Sequence, residues 1–374
     1  MRRCLFPVLL VLVVLIALEL VGAVVLRAYP SIEKTRAGLI GDVDFSDALN
    51  TASQAYLLYI PTPNYVRDGI AQHNAQGYRG VAVPLARSKD SLRILFMGGS
   101  TTYGEAVNDP DDSYPAQFGQ LLATDVRFAQ RKIEIINAGV RWGTTAEILN
   151  HYLLKFRYYR PDVVVLNPGG NDPAAYMAAP YHPDYSNWRQ APDVPAPLHA
   201  PARWLMQSRW LSVVIVLLFF PDVASGTTFV HRGNLPAYWF VPQRAGEVQV
   251  NENAFYNNLS TVVREIQHDG AAVFLLSYQG NPFDEADQST WRRFYDYEAA
   301  LLQQIGHEQN VPFAAFPLDR LLQKDWADPS HLTVAGERKK AQYLYEQMGP
   351  LLLQRIRCCT AVASPPSMPS LKLR

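Results

Sequence analysis

The chain has almost no cysteine, three in 374 residues. None stands in a Cys-x-x-Cys or Cys/His pattern, which sets aside a zinc ribbon, a thioredoxin-type redox motif and a disulfide framework. Cys358 and Cys359 are adjacent, a geometry that pairs poorly, and Cys4 lies far from both in sequence. Net charge is missing as well, because 34 Lys and Arg balance 34 Asp and Glu. A general nucleic-acid binder needs a basic surface to neutralise phosphates, so that class is disfavoured. No Gly-rich phosphate cradle and no metal-ligand spacing is present, and no cofactor is implied. No internal repeat of 20–50 residues is visible, which argues against a solenoid or propeller. Charged residues make up only 18% of the chain, against about 25% in an average globular protein.

Part of that low charge has a local cause. Leu5 to Leu18 is continuously apolar, and after Glu19 the run resumes from Leu20 to Leu26 and stops at Arg27. This stretch of 22 residues has one interruption, and a helix needs about 20 residues to cross the hydrocarbon core. Arg2 and Arg3 precede it, so the positive-inside rule leaves the N-terminus in the cytoplasm and exports the remainder of the chain. Three readings stand: a retained single-pass anchor, a signal peptide cleaved near Val21-Gly22-Ala23, or a buried helix. The anchor is preferred.

Beyond the anchor (residues 1–27), residues 28–90 read as a polar approach segment punctuated by Pro and Gly, with a turn at His73 to Gly80. The pattern then alternates. Short apolar runs bounded by glycine or polar residues predict strands at 92–97, 133–136, 162–166, 271–277 and 311–316. Helical spacing of Tyr114, Phe118, Leu121 and Leu122 predicts a helix after the first strand. Thr144 and Glu147 form a capping box for a helix through about Tyr159. Further helices are predicted over 253–268, 289–308 and 333–356. Strands alternating with helices imply an α/β fold, a three-layer α/β/α sandwich around a mostly parallel five-stranded sheet. The domain spans 91–356, with a Pro- and aromatic-rich insertion at 173–250 and a tail at 357–374.

In open sheets of this kind, ligands bind beyond the carboxyl ends of the strands. The first three strands end at Ser100, Gly139 and Asn171. Acyl transfer needs a hydroxyl nucleophile, an imidazole base, a carboxylate to orient the base and donors aimed at the oxyanion. Ser100 supplies the hydroxyl. Asp328-Pro329-Ser330-His331 supplies a carboxylate and an imidazole three residues apart, just ahead of the last helix. Backbone N–H groups of Ser100 and Gly139 and the Asn171 amide are candidate oxyanion donors. The nucleophile motif Gly-x-Ser-x-Gly is absent around Ser100, which disfavours an α/β-hydrolase.

The set Gly98-Gly99-Ser100-Thr101-Thr102, Gly139, Gly169-Gly170-Asn171-Asp172 and Asp328-Pro329-Ser330-His331 resembles the four signature blocks of the SGNH (GDSL-type) hydrolases in order and spacing. The resemblance covers roughly residues 90–356, and the Asn74-to-Gly80 turn followed by Arg93-Ile94-Leu95 resembles the lead-in of many bacterial members. It implies a flavodoxin-like sheet, Ser100 as nucleophile, His331 as base, Asp328 as the residue orienting it, and an oxyanion hole of Ser100, Gly139 and Asn171. One position departs: the family's usual Asp before the serine is Gly99 here.

Three functions fit these residues. The first is a membrane-anchored esterase acting on O-acyl groups, acetyl above all, of an envelope glycan or lipid. The second is an acyltransferase that passes the acyl group to another hydroxyl, and the third is an idle binding module. Within the insertion, Tyr176, Tyr181, Tyr185, Trp204, Trp210 and Trp239 either grip substrate or build a satellite core. The apolar run Trp210 to Phe220 is too short to span a bilayer; it suits an interfacial helix or a buried one.

Overall fold

The computed structural model describes residues 2–29, 32, 33, 36, 51–54, 56–177, 181–185, 204–219, 253–284 and 290–359. In chain order its main elements are α1 (Arg2–Ala28), β1 (Thr51–Gln54), β2 (Leu58–Pro61), β3 (Val66–Arg67), β4 (Ile70–Ala71), β5 (Ser91–Gly98), α2 (Ser100–Tyr103), α3 (Tyr114–Thr124), β6 (Lys132–Gly139), α4 (Thr145–Leu154), β7 (Val163–Asn167), α5 (Arg209–Phe219), α6 (Ala254–His268), β8 (Ala272–Leu276), α7 (Thr290–Glu308), β9 (Phe313–Ala314) and α8 (Val334–Cys359). They fall into two units, Met1–Tyr65 with Ala174–Val250, and Val66–Pro173 with Asn251–Arg374.

The second unit holds one five-stranded sheet in the order β6-β5-β7-β8-β9, and every neighbouring pair is parallel. In order of appearance that is 2-1-3-4-5, the flavodoxin-like order with its switch point beside the first strand. Alternate residues of a strand point to opposite faces. Leu92, Ile94, Phe96, Val163, Val165, Phe274 and Leu276 share one core with Tyr114, Phe118 and Leu122 of α3 and Leu344, Met348 and Leu352 of α8. Leu95, Met97, Val164, Leu166, Val273 and Leu275, equally buried, face the layer of α4, α6 and α7. The result is the three-layer α/β/α sandwich, and its sheet is wholly parallel.

Local chemistry accounts for the element ends. The capping box forms as the sequence predicts: Thr144 N–H donates to Glu147 Oε2 at 2.8 Å, and Ala146 N–H to Thr144 Oγ1 at 3.3 Å. The helix it opens stops at Leu154, short of Tyr159. Phe156–Tyr159 tightens into a 3-10 turn whose rings pack edge-on around Tyr78, at 6.1 Å for Phe156 and 6.0 Å for Tyr159. The last strand shrinks from 311–316 to Phe313–Ala314, since only these two middle residues pair in register with β8. Helix α8 runs to Cys359, three residues past the expected Ile356. Residues 360–374 of the tail lie outside the described residues.

A buried ion pair braces the sheet edge. Arg93 and Glu134 are register partners on β5 and β6, with Arg93 Nε 3.0 Å from Glu134 Oε2. Burial opposes the Glu134 charge, but Lys132 and Arg93 outweigh it and hold the carboxyl below its ordinary range.

In the first unit β1 and β2 pair as an antiparallel hairpin. Tyr176, Tyr181 and Tyr185 stack in sequence, with centroids 5.7 and 6.4 Å apart, and Tyr176 and Tyr185 are buried. That matches the satellite-core reading for these three. Trp204 is 75% exposed, and Trp239 lies outside the described residues. Helix α1 contains Leu9–Ala28, a stretch long and apolar enough to cross a membrane.

Candidate active site

The register of the sheet brings the strand ends together. Gly98 of β5 pairs with Gly139 of β6 on one side and Asn167 of β7 on the other. The three loops that leave these strands therefore open at one edge, and each carries one signature block. Ser100 starts α2 directly after β5, with Gly99 as its N-cap in extended conformation. The serine's own N–H and hydroxyl are thus presented at a helix start, where backbone donors are unpaired.

The fourth block closes on this edge from the loop ahead of α8. His331 Nε2 lies 2.8 Å from Ser100 Oγ. Its other ring nitrogen, Nδ1, lies 2.8 Å from Asp328 Oδ2 and 3.0 Å from Oδ1. An ionised carboxylate only accepts, so Nδ1 carries the proton and Nε2 is left to accept from the serine hydroxyl. Asp328 Oδ1 also accepts the backbone N–H groups of Ser330 at 2.7 Å and His331 at 2.8 Å. Burial acts to raise the Asp328 pKa, but the His331 ring and these two N–H groups prevail and hold the carboxyl below its usual range. It stays ionised, and so keeps orienting the imidazole, down to a lower pH than a free aspartate would.

The remaining candidates sit around the serine. A Cβ built on Gly139 would lie 2.2 Å from Tyr103 N and 2.6 Å from Thr102 C. Only glycine lets β6 end against the backbone of α2. The Gly139 N–H donates to Asn137 Oδ1 at 3.1 Å. Asn171 Nδ2 donates one hydrogen to Gly143 O at 2.9 Å, and an amide NH2 has two. Ahead of it, Gly169 and Gly170 have φ of 96° and 85°, which a side chain would strain.

The departure at position 99 has a steric reason. A Cβ on Gly99 would lie 2.8 Å from Asn171 Nδ2 and 3.1 Å from Gly143 O. The amide of the third block fills the space an aspartate would take.

Several residues around the site carry no local motif. Arg79 is 2% exposed and donates to the Tyr103 carbonyl at 2.9 Å, and to that of Gly104, where α2 ends. Glu105 and Arg141 pair at 2.5 Å. Burial pushes the Glu105 carboxyl up, with Arg141 pulling against it. From α8, Glu337 Oε2 accepts Tyr114 N–H at 2.6 Å and Lys340 Nζ donates to Asn167 Oδ1 at 2.7 Å. Burial raises the Glu337 carboxyl and lowers the Lys340 ammonium, and each offsets the other. These two anchor the helix that begins after His331 to α3 and β7.

Residues 96–339, nearly two thirds of the chain, match the GDSL-like Lipase/Acylhydrolase family. Among solved structures, an acetylxylan esterase from Geobacillus stearothermophilus is similar at 17% identity and a TM-score of 0.43, over 70% of this chain and 97% of that one. A GDSL-like lipase from Bacteroides thetaiotaomicron is similar at 13% identity and a TM-score of 0.39, over 72% and 91%. No curated protein matches the chain significantly.

Proposed function

The chain belongs to the GDSL-like lipase/acylhydrolase family and is an ester-hydrolysing serine hydrolase, and on that premise we propose that Ser100, His331 and Asp328 are its catalytic triad, acting on O-acyl, chiefly acetyl, esters of an envelope glycan or lipid. The observation that carries this reading is the continuous path from Ser100 Oγ through the His331 ring to Asp328, with both links at 2.8 Å. His331 takes the serine proton as Oγ attacks the ester carbonyl, and later returns it to the leaving alcohol. Asp328 holds the ring in the required tautomer and stabilises the imidazolium. The Ser100 N–H, the Gly139 N–H and the second Asn171 amide hydrogen receive the oxyanion, with the Gly139 N–H exchanging its Asn137 partner for it. Water then resolves the acyl-enzyme.

A cleft beside Pro329 and Ser330 supports a hydroxyl-rich alcohol group, because Gln279, Asn281, Arg292 and Tyr295 line it with hydrogen-bonding groups and a ring. Helix α1 serves as the anchor, with Arg2 and Arg3 on the cytoplasmic side and the catalytic unit exported.

The full chain in detergent should release the alcohol from an aryl acetate and be labelled at Ser100 by a fluorophosphonate. Active protein that escapes the label would end the nucleophile assignment. Adding an acceptor sugar should leave the yield of free acetate unchanged; diversion of the acetyl group to the sugar would make the protein a transferase.

Gly99→Asp, although it restores the family's usual residue, should lower kcat by about 10²–10³, the loss of one oxyanion donor. The added side chain would displace the Asn171 amide. Asn171→Ala should cost about as much, and the double variant little more, since both changes remove one contact. Full additivity of the two losses would show that Gly99 and Asn171 act separately.

A further inference from the structure

Helix α1 carries one acid, Glu19, in its apolar run. It stands seven positions before Leu26, the last apolar residue of the run, so at 1.5 Å per residue it lies about 10 Å inside the exit boundary, within a hydrocarbon core about 30 Å thick. An ionisable group at that depth needs a partner. The partner comes from the insertion: Glu19 accepts the Ser208 hydroxyl and, at 3.0 Å, the backbone N–H of Arg209. Arg209 begins α5. Glu19 therefore caps the amino end of a helix 190 residues away in sequence.

The contact continues along one face. Glu19, Gly22 and Leu26 recur at helical spacing. Gly22 is buried, and a Cβ on it would lie 2.6 Å from Trp210 N. The two backbones touch there, as small residues allow between membrane helices. Further along, Leu26 packs with Val213 and Val216. Before Glu19 the described residues of α1 from Phe6 to Ala17 are exposed all round. After it, the surface that the pair leaves exposed carries Leu20, Val21 and Val24 on α1, and Leu217, Leu218 and Phe219 on α5, the last two at 68% and 72%; its exposed charges are Arg27 at the exit end of α1 and Arg209, whose backbone N–H Glu19 holds.

We propose that α5 lies in the bilayer beside the exit half of α1, capped by Glu19, so that the two helices together form the membrane anchor. Lipid is the occupant that covers the outer face of α5, because that face continues the lipid-facing surface of α1 and its amino end is bonded to Glu19 within the apolar run. The pairing answers two needs at once. A helix start in hydrocarbon has N–H groups without water to receive them, and the carboxylate needs donors. It follows that α1 is retained, since cleavage after Ala23 would remove Glu19 and Gly22. The proposal rests on α1 being a membrane span.

The test uses the full chain with Cys4, Cys358 and Cys359 changed to Ser, reconstituted in phosphatidylcholine–phosphatidylglycerol vesicles. A nitroxide is attached at Leu218→Cys, and its collisions with oxygen, which concentrates in lipid, and with a water-soluble nickel chelate are measured by electron paramagnetic resonance. Val126→Cys, at a position 85% exposed in the catalytic unit, is the aqueous reference. At position 218 oxygen collisions should dominate, with nickel collisions at least fivefold below the reference. Dominant nickel collisions would place α5 in water. Low collisions with both would mean that protein or a second copy covers it. Either result overturns the proposal. Adding Gly22→Leu, which fills the space of the Trp210 backbone, should raise the nickel collisions several-fold, and no change would overturn the pairing with α1. Extraction at alkaline pH separates the two premises. Protein stripped from the vesicles refutes the span itself, whereas retained protein with a nickel-accessible position 218 refutes only the placement of α5.

Discussion

Ser100→Ala should fold as the parent does and lose ester hydrolysis by about 10⁶-fold in kcat, some 8 kcal/mol of barrier. The serine is half-buried at the start of α2, and its Oγ has one described partner, His331 Nε2 at 2.8 Å. Removing the hydroxyl leaves the fold's hydrogen bonds in place and removes the nucleophile. The loss should not grow much in the Ser100→Ala, His331→Ala double variant, because a base without a nucleophile has nothing to deprotonate. The rate that survives should be the modest one over water that oxyanion donors and binding supply. Steady-state hydrolysis of an aryl acetate, with circular dichroism to confirm folding, measures both losses. A folded Ser100→Ala protein within tenfold of the parent rate would refute the serine mechanism, and two large, additive losses would show that Ser100 and His331 do not act as a pair.

The order of strands and helices was legible because each strand is a run buried on both faces, and each helix of the sandwich has an apolar stripe. The proposed triad was legible for a related reason. Ser100 follows a strand end, where a parallel sheet gathers its loops whatever their distance in sequence, and Asp328 and His331 stand three residues apart in one motif ahead of the last helix. The capping box at Thr144 and Glu147 is a local signal, and the fold forms it. Other features depend on pairings that no local pattern announces. Arg79 reads as one polar residue of a turn, and only the fold sets it beneath α2. Glu105 and Arg141 pair across two loops. Glu19 looks like a flaw in an apolar run until Arg209 is placed against it. The hairpin of β3 and β4 does have a local sign, since Asp68-Gly69 is a dipeptide that favours two-residue turns, but strands of two residues are too short to show alternation. Gly99 is the case where the resemblance to the family obscured the physics: its smallness serves Asn171, which belongs to a different signature block.

The second large effect is expected at Arg79. Its guanidinium donates to the carbonyls of Tyr103 at 2.9 Å, Val107 at 2.5 Å and Asn108 at 3.1 Å, to the Gly104 carbonyl, and to Gln72 Oε1 at 2.9 Å. It also lies 4.6 Å from the centre of the Tyr103 ring. The carbonyls of Tyr103 and Gly104 are those left over at the end of α2, the turn that begins with Ser100. Arg79→Met would leave the Val107 carbonyl without its donor and the Tyr103, Gly104 and Asn108 carbonyls with only Asn137 Nδ2, Val107 N–H and Gln72 Nε2 respectively, each loss costing up to about 1–3 kcal/mol before any relaxation. Losses of this kind do not add fully, so about 3–5 kcal/mol in total is expected. For a domain of this size that lowers the melting temperature by roughly 10 °C. Arg79→Lys should recover only part of it, because an ammonium cannot reach carbonyls on both sides as the planar fork does. The effect should also reach the chemistry. A shift of about 1 Å in Ser100 relative to His331 costs about 10²-fold, so kcat per folded molecule should fall by that order well below the melting temperature, with KM little changed. If Arg79→Met melts early and yet turns over at the parent rate per folded molecule, the residue supports the fold without positioning the nucleophile.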